Sequence, residues 1–383
     1  MITRKNFLQI AWDKFEPTDK TRQAISRIHA IGRLFKTKHY ADPDELFFTF
    51  EDLPVMGKEY WFLYFLAPGS KKQAVLTFGR AEEAVKVNKT DVSKAAEDES
   101  EGKMSKEGSA SQTSLPCAAV CWMHDTKKKV LIDSHAQVSL EREGKGGREG
   151  KGRKSNRLVA SSGQKHRVEV EGKYPNYYVR LIDDGKTIFS ARAHPPKKGR
   201  PYEIVDLLRT PLVSRFGAVM VNYYFEFEGK MNNKPLAGRA YLQKVVAVMP
   251  LAPWNWVRLE FAGGATFDFF SAKPLGTGRK EIHFASNDYL EIGGRKFKTG
   301  KLTLSSWLNG DKRRWLLTGK DFYLSMESFA LQPFVMKQKM TFRYDEYLVL
   351  VRDFVMKAEG KTYTLSDLGA ASGIVEEASG YLI

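Results

Sequence analysis

Cysteine is nearly absent from this chain. Among 383 residues there are two, Cys117 and Cys121, in the segment Cys-Ala-Ala-Val-Cys-Trp-Met-His. On a strand this spacing places the two residues about 13 Å apart along one face, which is too far for a disulfide, and two thiols are too few for a zinc quartet. We therefore predict buried packing thiols, no metal site and a reducing, cytoplasmic location.

Long apolar runs and the common nucleotide and hydrolase motifs are absent as well. No run of 18 apolar residues indicates a membrane span, and Asp13 and Lys14 interrupt the start of the chain before a signal-length apolar core accumulates. The sequence has no His-x-x-x-His pair, Gly-x-Ser-x-Gly elbow, complete phosphate-binding loop or dinucleotide fingerprint. Hydrolase, zinc and nucleotide chemistry therefore have no support, and we expect no cofactor.

Acidic residues are too few to balance the basic ones. The 61 Lys and Arg exceed the 45 Asp and Glu by 16, and residues 141–157 form a glycine-rich stretch with seven basic and three acidic side chains. We interpret this stretch as a flexible solvated loop, and without a recognition helix or an aromatic ribonucleoprotein motif we expect no specific nucleic-acid partner. A nonspecific nucleic-acid adaptor, or a peripheral contact with an anionic membrane, stays open as an alternative.

Aromatic residues are abundant, at 12% of the chain, and most of them lie in alternating or short apolar runs. Turn residues separate these runs, as Pro68-Gly69-Ser70 does between Tyr60–Leu66 and Gln73–Phe78. Further strands are predicted at 117–124, 130–140, 166–171, 177–182, 187–193, 218–228, 236–248, 255–261 and 265–270. Helical spacing is confined to residues 25–34 and Ile204–Leu208.

This pattern predicts an all-β protein of closed or nearly closed antiparallel barrels with a short N-terminal helix. The length fits two barrels, and Pro250-Leu251-Ala252-Pro253 interrupts strand pairing between them. We therefore place an N-terminal barrel at 1–249 and a C-terminal barrel at 250–383. Disordered insertions are predicted near 90–114, where large apolar side chains are almost lacking, and near 141–165.

Three glutamates on predicted strands are candidate general acids, namely Glu226, Glu346 and Glu377. A carboxyl group inside an apolar barrel has a raised pKa and can donate a proton near neutral pH. Exposure at a strand end is the alternative for each of them. Arg239 is in reach of Glu226 or Glu228 across a hairpin, and such an ion pair is as easily structural as catalytic.

Aromatic and polar residues on neighbouring strands are candidates for ligand binding. Alternation places Trp254, Trp256 and Arg258 on one face of their strand. Such a face lines a cavity for an apolar ligand or packs as an ordinary core, and the pattern leaves both interpretations open. The candidate ligand-binding residues are Tyr223, Tyr224, Arg239, Tyr241, Gln243, Trp254, Trp256 and Arg258.

Four segments spread over about 160 residues carry a family resemblance. They are Tyr223-Tyr224 with the following Gly229 hairpin, Gly238–Gln243, Trp254–Gly264, and the closing region with Glu346 and Gly373–Tyr381. Together they resemble the carotenoid 1,2-hydratase-like family, which includes hydroxyneurosporene synthase and AttH-like proteins. The resemblance implies two lipocalin-like barrels in tandem and a long apolar ligand, an isoprenoid or a lipid.

The resemblance also implies residue roles, with one departure. Glu377 stands three residues before Gly380, as the family's terminal glutamate does, and Glu346 lies in a similar strand. The family's Trp-Leu-Asp is Tyr-Leu-Gln here, and Gln243 cannot exchange a proton near neutral pH. Our leading hypothesis is therefore a lipocalin-like protein that binds an isoprenoid or lipid. A hydro-lyase or isomerase is the alternative, if Glu226, Glu346 or Glu377 supplies the proton.

Overall fold

The computed structural model describes residues 42–54, 56–88, 90–92, 114–142, 155–207, 217–273, 282–283 and 288–382. These ranges are almost entirely β-structure, and every strand pairing within them is antiparallel, which confirms the all-β prediction. The helix predicted over residues 25–34 lies outside the described residues. No helix within the described ranges is long and apolar enough to cross a membrane.

The elements follow one another along the chain with few helical interruptions. The helices are α1 (Pro43–Phe47) and α2 (Leu365–Leu368). The strands are β1 (Gly57–Leu66), β2 (Lys72–Ala81), β3 (Val85–Val87), β4 (Thr90–Val92), β5 (Ser114–Asp125), β6 (Lys129–Glu141), β7 (Asn156–Ser162), β8 (His166–Lys173), β9 (Asn176–Asp183), β10 (Lys186–His194), β11 (Tyr202–Leu207), β12 (Gly217–Met231), β13 (Lys234–Val248), β14 (Trp254–Phe261), β15 (Thr266–Ala272), β16 (Ile282–His283), β17 (Tyr289–Ile292), β18 (Arg295–Lys298), β19 (Thr303–Asn309), β20 (Lys312–Gly319), β21 (Phe322–Lys337), β22 (Thr341–Ala358), β23 (Lys361–Thr364) and β24 (Ala371–Gly380).

The first sheet closes into a barrel of ten strands. Its order is β10-β9-β8-β7-β6-β5-β2-β1-β13-β12, and the second half of β12 pairs with β10 to complete the ring. The first half of β12 instead pairs with β11, which lies outside the ring. Closure removes the exposed edges that an open sheet of this size would have.

The chain's own N-terminal described segment occupies the interior of this barrel. The barrel's core contains Leu46 and Phe47 of α1 and the C-cap residue Phe48, and all three are fully buried. Lys244 lies beside them with no exposed surface, and its Nζ is 2.6 Å from Oε1 of Glu59. The same ammonium group donates to the carbonyl oxygens of Leu46 and Thr49. These contacts attach the segment to β1 and β13.

The second sheet wraps around a separate core. Its main path is β18-β17-β15-β14-β24-β22-β21-β20-β19, and its two end strands do not pair with each other in the described ranges. The β3–β4 hairpin, which precedes most of the barrel in sequence, joins this sheet by pairing with β21. Val257, Phe267, Trp315 and Val375 are fully buried in the core.

The outer wall of the barrel packs against the outer face of the second sheet. Phe62, Tyr64 and Trp122 of the barrel form one hydrophobic cluster with Leu348 and Ile374 of the second sheet. We call this contact surface the interface. Alternation explains its composition: the even-numbered residues of β24 and of β22 up to Leu348 face the barrel, while their odd-numbered neighbours Tyr347, Val349 and Val375 face the second core.

Three local predictions are corrected by the structure. The segment Ile204–Leu208, taken as helical, lies mostly in β11, because Tyr202–Leu207 pairs with β12. Part of the insertion predicted at 141–165 is β7, where Leu158 and Ala160 alternate into the barrel core. Residues 90–92 form β4 rather than part of an insertion, while 93–113 and 143–154 lie outside the described residues.

The chain passes from the first sheet to the second between Val248 and Trp254, and the domain division at residue 250 stays a prediction.

Both cysteines are free and buried, as predicted. Cys117 and Cys121 point into the barrel core, where burial raises the pKa of both thiols, that of Cys121 to about 12. They serve as packing groups rather than as nucleophiles.

Candidate functional site

Three neighbouring strands of the second sheet carry the polar groups of the interface. β22 contributes Tyr344 and Glu346, β24 contributes Glu376, and β14 contributes Trp254 and Trp256. Strand register places Glu346 directly beside Glu376, and Glu376 directly beside Trp256. Cross-strand neighbours share a face, so pairing alone brings two carboxyl groups together against the barrel.

Tyr344 links the two carboxyl groups. Its hydroxyl oxygen is 2.9 Å from Oε1 of Glu346 and 2.5 Å from Oε1 of Glu376. Glu346 has no exposed surface, and Glu376 and Tyr344 are 6% and 8% exposed. We call these three residues the carboxyl pair with its bridging tyrosine.

Two indole groups donate to the remaining carboxyl oxygens. Nε1 of Trp122, from barrel strand β5, lies 2.6 Å from Oε2 of Glu346. Nε1 of Trp254 lies 3.0 Å from Oε2 of Glu376. An indole N–H can only donate, so both Oε2 atoms accept. A proton added to either carboxyl group therefore belongs on its Oε1 atom, which faces Tyr344.

One shared proton satisfies this arrangement. If Glu346 is protonated on Oε1, it donates to the oxygen of Tyr344, and the tyrosine hydroxyl donates to the ionised Glu376. The hydrogen bonds can equally run in the opposite direction, with Glu376 protonated and Glu346 ionised. The geometry therefore forms a short proton relay between two carboxyl groups through one phenol.

Burial raises the pKa of both carboxyl groups. The pKa of Glu346 rises to about 8, because the group is desolvated and because Glu376 carries a like charge. Desolvation also raises the pKa of Glu376 to about 7. Hydrogen bonds from Tyr344 and Trp254 favour the ionised form of Glu376 and oppose this rise. A carboxyl group in this range can give or accept a proton near neutral pH.

Lys129 is a cation whose charge acts on the pair. Its Nζ lies 4.9 Å from the ring centroid of Trp122 and donates to the carbonyl oxygen of Leu331. The positive charge of Lys129 favours the ionised form of Glu346 and lowers its pKa, but burial raises that pKa by more. Lys129 thus joins β6 of the barrel to β21 at the margin of the carboxyl pair.

A second buried polar group lies beside the pair and is centred on Arg258. Its Nη1 is 2.7 Å from Oδ2 of Asp268, and its Nη2 is 2.9 Å from Oε1 of Glu260. Nε1 of Trp256 donates to Oδ1 of Asp268 at 2.9 Å. Burial raises the pKa of Asp268 to about 6, although Arg258 opposes the rise. We call this group the Arg258 cluster.

The barrel supplies the other half of the Arg258 cluster. The guanidinium carbon of Arg258 lies 4.6 Å from the ring centroid of Tyr241 and 5.0 Å from that of Tyr224, so the cation lies against both aromatic rings. Nε2 of Gln243 lies 2.8 Å from the hydroxyl oxygen of Tyr241 and 2.8 Å from Oδ1 of Asn222. The contact of Arg258 with the two rings thus connects β12 and β13 to the second sheet, and the hydrogen bonds of Gln243 join β13 to β12 within the barrel.

Most of the residues predicted from the sequence meet at the interface. Glu346 and Trp254 belong to the carboxyl pair and its indole donors. The predicted ligand-binding residues that meet in the Arg258 cluster are Tyr224, Tyr241, Gln243, Trp256 and Arg258.

The other predicted residues lie elsewhere. Glu226 forms an ion pair with Arg239 at 3.1 Å, on a partly exposed stretch of β12 and β13. Glu377 turns toward the second core, where Arg313 and Trp315 donate to it. Tyr223 is fully buried in the barrel and donates to Asp44 of α1.

Glu376, Trp122 and the bridging role of Tyr344 were not selected from the sequence. Glu376 and Glu377 are adjacent, and the resemblance favoured Glu377. The alternation that puts Trp254 and Trp256 toward the barrel does identify Glu376, once Trp256 is known to pair with it. No sequence signal connects Trp122 with Glu346, because 224 residues separate them.

The described residues contain no cluster of His, Cys, Asp and Glu suited to hold a metal ion.

Comparisons with known proteins give distant likenesses of fold. No family model matches the chain, and no curated protein matches it. A putative AttH from Nitrosomonas europaea is 12% identical, with a TM-score of 0.43 and coverage of 90% of this chain and 97% of that one. CghA with Sch210972 is 10% identical, with a TM-score of 0.43 and coverage of 84% and 87%. Kievitone hydratase from Nectria haematococca is 10% identical, with a TM-score of 0.40 and coverage of 89% and 96%. Likenesses of this size say nothing of what the present chain binds or does.

Proposed function

We propose that this protein binds a long apolar ligand, an isoprenoid or a lipid, at the interface and acts there on a carbon–carbon double bond as a hydratase or isomerase. The observation that carries the proposal is the buried carboxyl pair, Glu346 and Glu376, bridged by Tyr344. Gln243 cannot donate the proton, and the pair supplies an acid and a base in its place.

The chemistry needs one proton donor and one acceptor. Protonated Glu346 transfers its proton to one alkene carbon, and the π-electrons of the double bond form the new C–H bond, leaving a carbocation on the other carbon. Electron-rich aromatic faces, such as those of Trp254 and Trp256, stabilise such a cation. Ionised Glu376 then takes a proton from an attacking water, which gives an alcohol, or from a neighbouring carbon, which gives an isomer.

Tyr344 completes the cycle. The proton collected by Glu376 returns through the tyrosine hydroxyl to Glu346, because that hydroxyl contacts both Oε1 atoms. The raised pKa values leave one carboxyl group protonated and the other available as a base near neutral pH. Trp254 and Trp256 are only partly buried, so the ligand would enter on their side of the interface.

Deuterium uptake tests the proposal. The purified protein is extracted with organic solvent to identify a co-purifying apolar molecule, and that molecule, geranylgeraniol, squalene and oleic acid are each incubated with the protein in D2O. Mass spectrometry should find deuterium on carbon in at least one of them. Glu346→Gln and Glu376→Gln should reduce the uptake at least 100-fold, whereas Glu226→Gln, outside the interface, should not.

Two outcomes would overturn the catalytic proposal. Binding without deuterium uptake would replace it with the carrier hypothesis. Uptake that survives in both interface variants would place the chemistry elsewhere in the chain.

A further inference from the structure

The edge strand β19 of the second sheet lacks the features that usually protect such an edge. It pairs with β20 along its whole length, Thr303–Asn309, and with no other strand in the described ranges. Its seven residues include no charged side chain and no proline, and its register with β20 has no bulge. Natural proteins use such features to block exposed edges, because an open edge pairs readily with another strand.

The hairpin register shows which backbone groups of β19 are open. A two-residue turn joins β19 to β20, so Asn309 and Lys312 form the hydrogen-bonded pair that closes the hairpin. Hydrogen-bonded and non-hydrogen-bonded pairs alternate along an antiparallel ladder. Leu304, Ser306 and Leu308 therefore each direct one N–H and one C=O away from β20. These six groups have no backbone partner among the described residues.

Two apolar side chains of β19 are exposed as well. Trp307 is 43% exposed and Leu308 is 69% exposed. They lie on opposite faces of the strand, opposite Arg314 and Arg313 of β20 respectively. Open backbone groups with uncovered apolar side chains on both faces fit the addition of another strand.

We infer that β19 pairs with β19 of a second copy of this chain, antiparallel about a two-fold axis at Ser306. Ser306 then lies opposite its own counterpart, and Leu304 of each copy lies opposite Leu308 of the other. This register gives all six open groups of each copy a partner. On the other face of the strand, Ser305 of each copy lies opposite Trp307 of the other.

The self-complementary pattern of β19 is what assigns a second copy as its partner. Leucine meets leucine on one face, and no like charges meet across the axis because the strand has no charge. The pairing uses the open edge of both copies, so assembly stops at a dimer. The inference goes beyond the proposed function and does not depend on the chemistry of the carboxyl pair.

Sedimentation velocity of the full chain tests the inference. A contact through one pair of strands belongs to the small, transient class, so we expect monomer at about 1 µM and dimer at about 100 µM. Leu308→Lys should weaken dimerisation about 100-fold, because a charged side chain blocks edge pairing and the axis places it at two positions. Ser306→Pro should do the same, because proline lacks the N–H that bonds across the axis, and an edge strand tolerates it.

Ser306→Ala is the matched control for the proline variant. It removes the hydroxyl that accepts from Arg313 but keeps both backbone groups, so it should still form the dimer. Urea midpoints distinguish loss of the dimer from loss of the fold. If Ser306→Pro does not fold, Leu308→Lys decides, since that side chain is already exposed.

Cross-linking tests the register. A short bismaleimide should join Ser306→Cys to its counterpart, whereas both native cysteines are buried. It should not join Thr318→Cys, which is exposed on β20, because three strand spacings and six residues of rise separate the two copies of this position by about 25 Å. A monomer at every concentration would overturn the inference. A dimer that persists in Leu308→Lys, or an assembly larger than two, would overturn it as well.

Discussion

Replacing Glu346 with glutamine should change how stability depends on pH. The folded protein holds the proton of Glu346 up to about pH 8, whereas the unfolded chain releases it near its ordinary value of 4.5. The folded state therefore binds more protons between these values, and the free energy of unfolding falls as the pH rises through this window. The contribution is fully present below pH 4.5 and is lost above about pH 8.

The size of the effect follows from the shift in pKa. One pKa unit corresponds to about 1.4 kcal/mol, so a rise from 4.5 to about 8 amounts to at most about 5 kcal/mol. Glu346→Gln stays uncharged at every pH and still accepts from Trp122. The variant should match the wild type near pH 4.5 and be several kcal/mol more stable at pH 9.

Urea unfolding followed by tryptophan fluorescence, at half-unit steps from pH 4.5 to 9, measures both curves. The difference between them reports Glu346 together with its coupling to Glu376, and Asp268 is present in both proteins. Parallel curves would refute the assignment of a buried, protonated Glu346. Glu226→Gln, which removes a partly exposed glutamate, should leave the shape of the curve unchanged.

Further predictions concern the neighbours of the pair and the barrel. Tyr344→Phe removes the bridge between the carboxyl groups and should lower the free energy of unfolding at pH 7 by about 1–3 kcal/mol in urea titrations; unchanged stability would contradict the bridging contacts. Lys129→Met removes a cation that lowers the pKa of Glu346, so the pH at which stability is lost through Glu346 should move upward; a downward move would contradict the assigned charge. Lys244→Met leaves Glu59 with Arg80 as its remaining cation and removes the donor to the carbonyl oxygens of Leu46 and Thr49, so it should cost about 1–3 kcal/mol, measured by the same titration; unchanged stability would contradict the buried ion pair.

Much of the fold could be predicted because alternation and turn residues are local signals. The strand pattern predicted that Arg239 pairs with Glu226 or Glu228 across the β12–β13 hairpin, and the structure has the pair with Glu226 at 3.1 Å. The pairing of β3 with β21 could not be predicted in the same way. It joins segments almost 250 residues apart, and no short-range pattern encodes such a contact.

The candidate site was only half predictable, and Glu376 and Glu377 illustrate the physical reason. In an isolated barrel one face of a strand meets the core and the other meets water, so polarity identifies the faces. Here β24 has one face on its own core and the other on the barrel, and both are largely apolar. The sequence therefore gives no reason to prefer Glu376 or Glu377. Which of the two is buried against the barrel depends on which face of β24 the barrel covers.

The same reasoning shows why the site needs both sheets. The second sheet alone would leave Glu346 and Glu376 on a solvated outer face, where neither desolvation nor the Trp122 indole would act on them. Carboxyl groups in water keep pKa values near 4 and are ionised at neutral pH, so they cannot donate a proton to an alkene. Packing of the barrel wall, with Trp122 at its centre, is therefore what turns two ordinary strand carboxylates into an acid and a base. Substitutions that loosen the interface without touching either glutamate, such as Leu348→Ala, should lower both pKa values and deuterium uptake together.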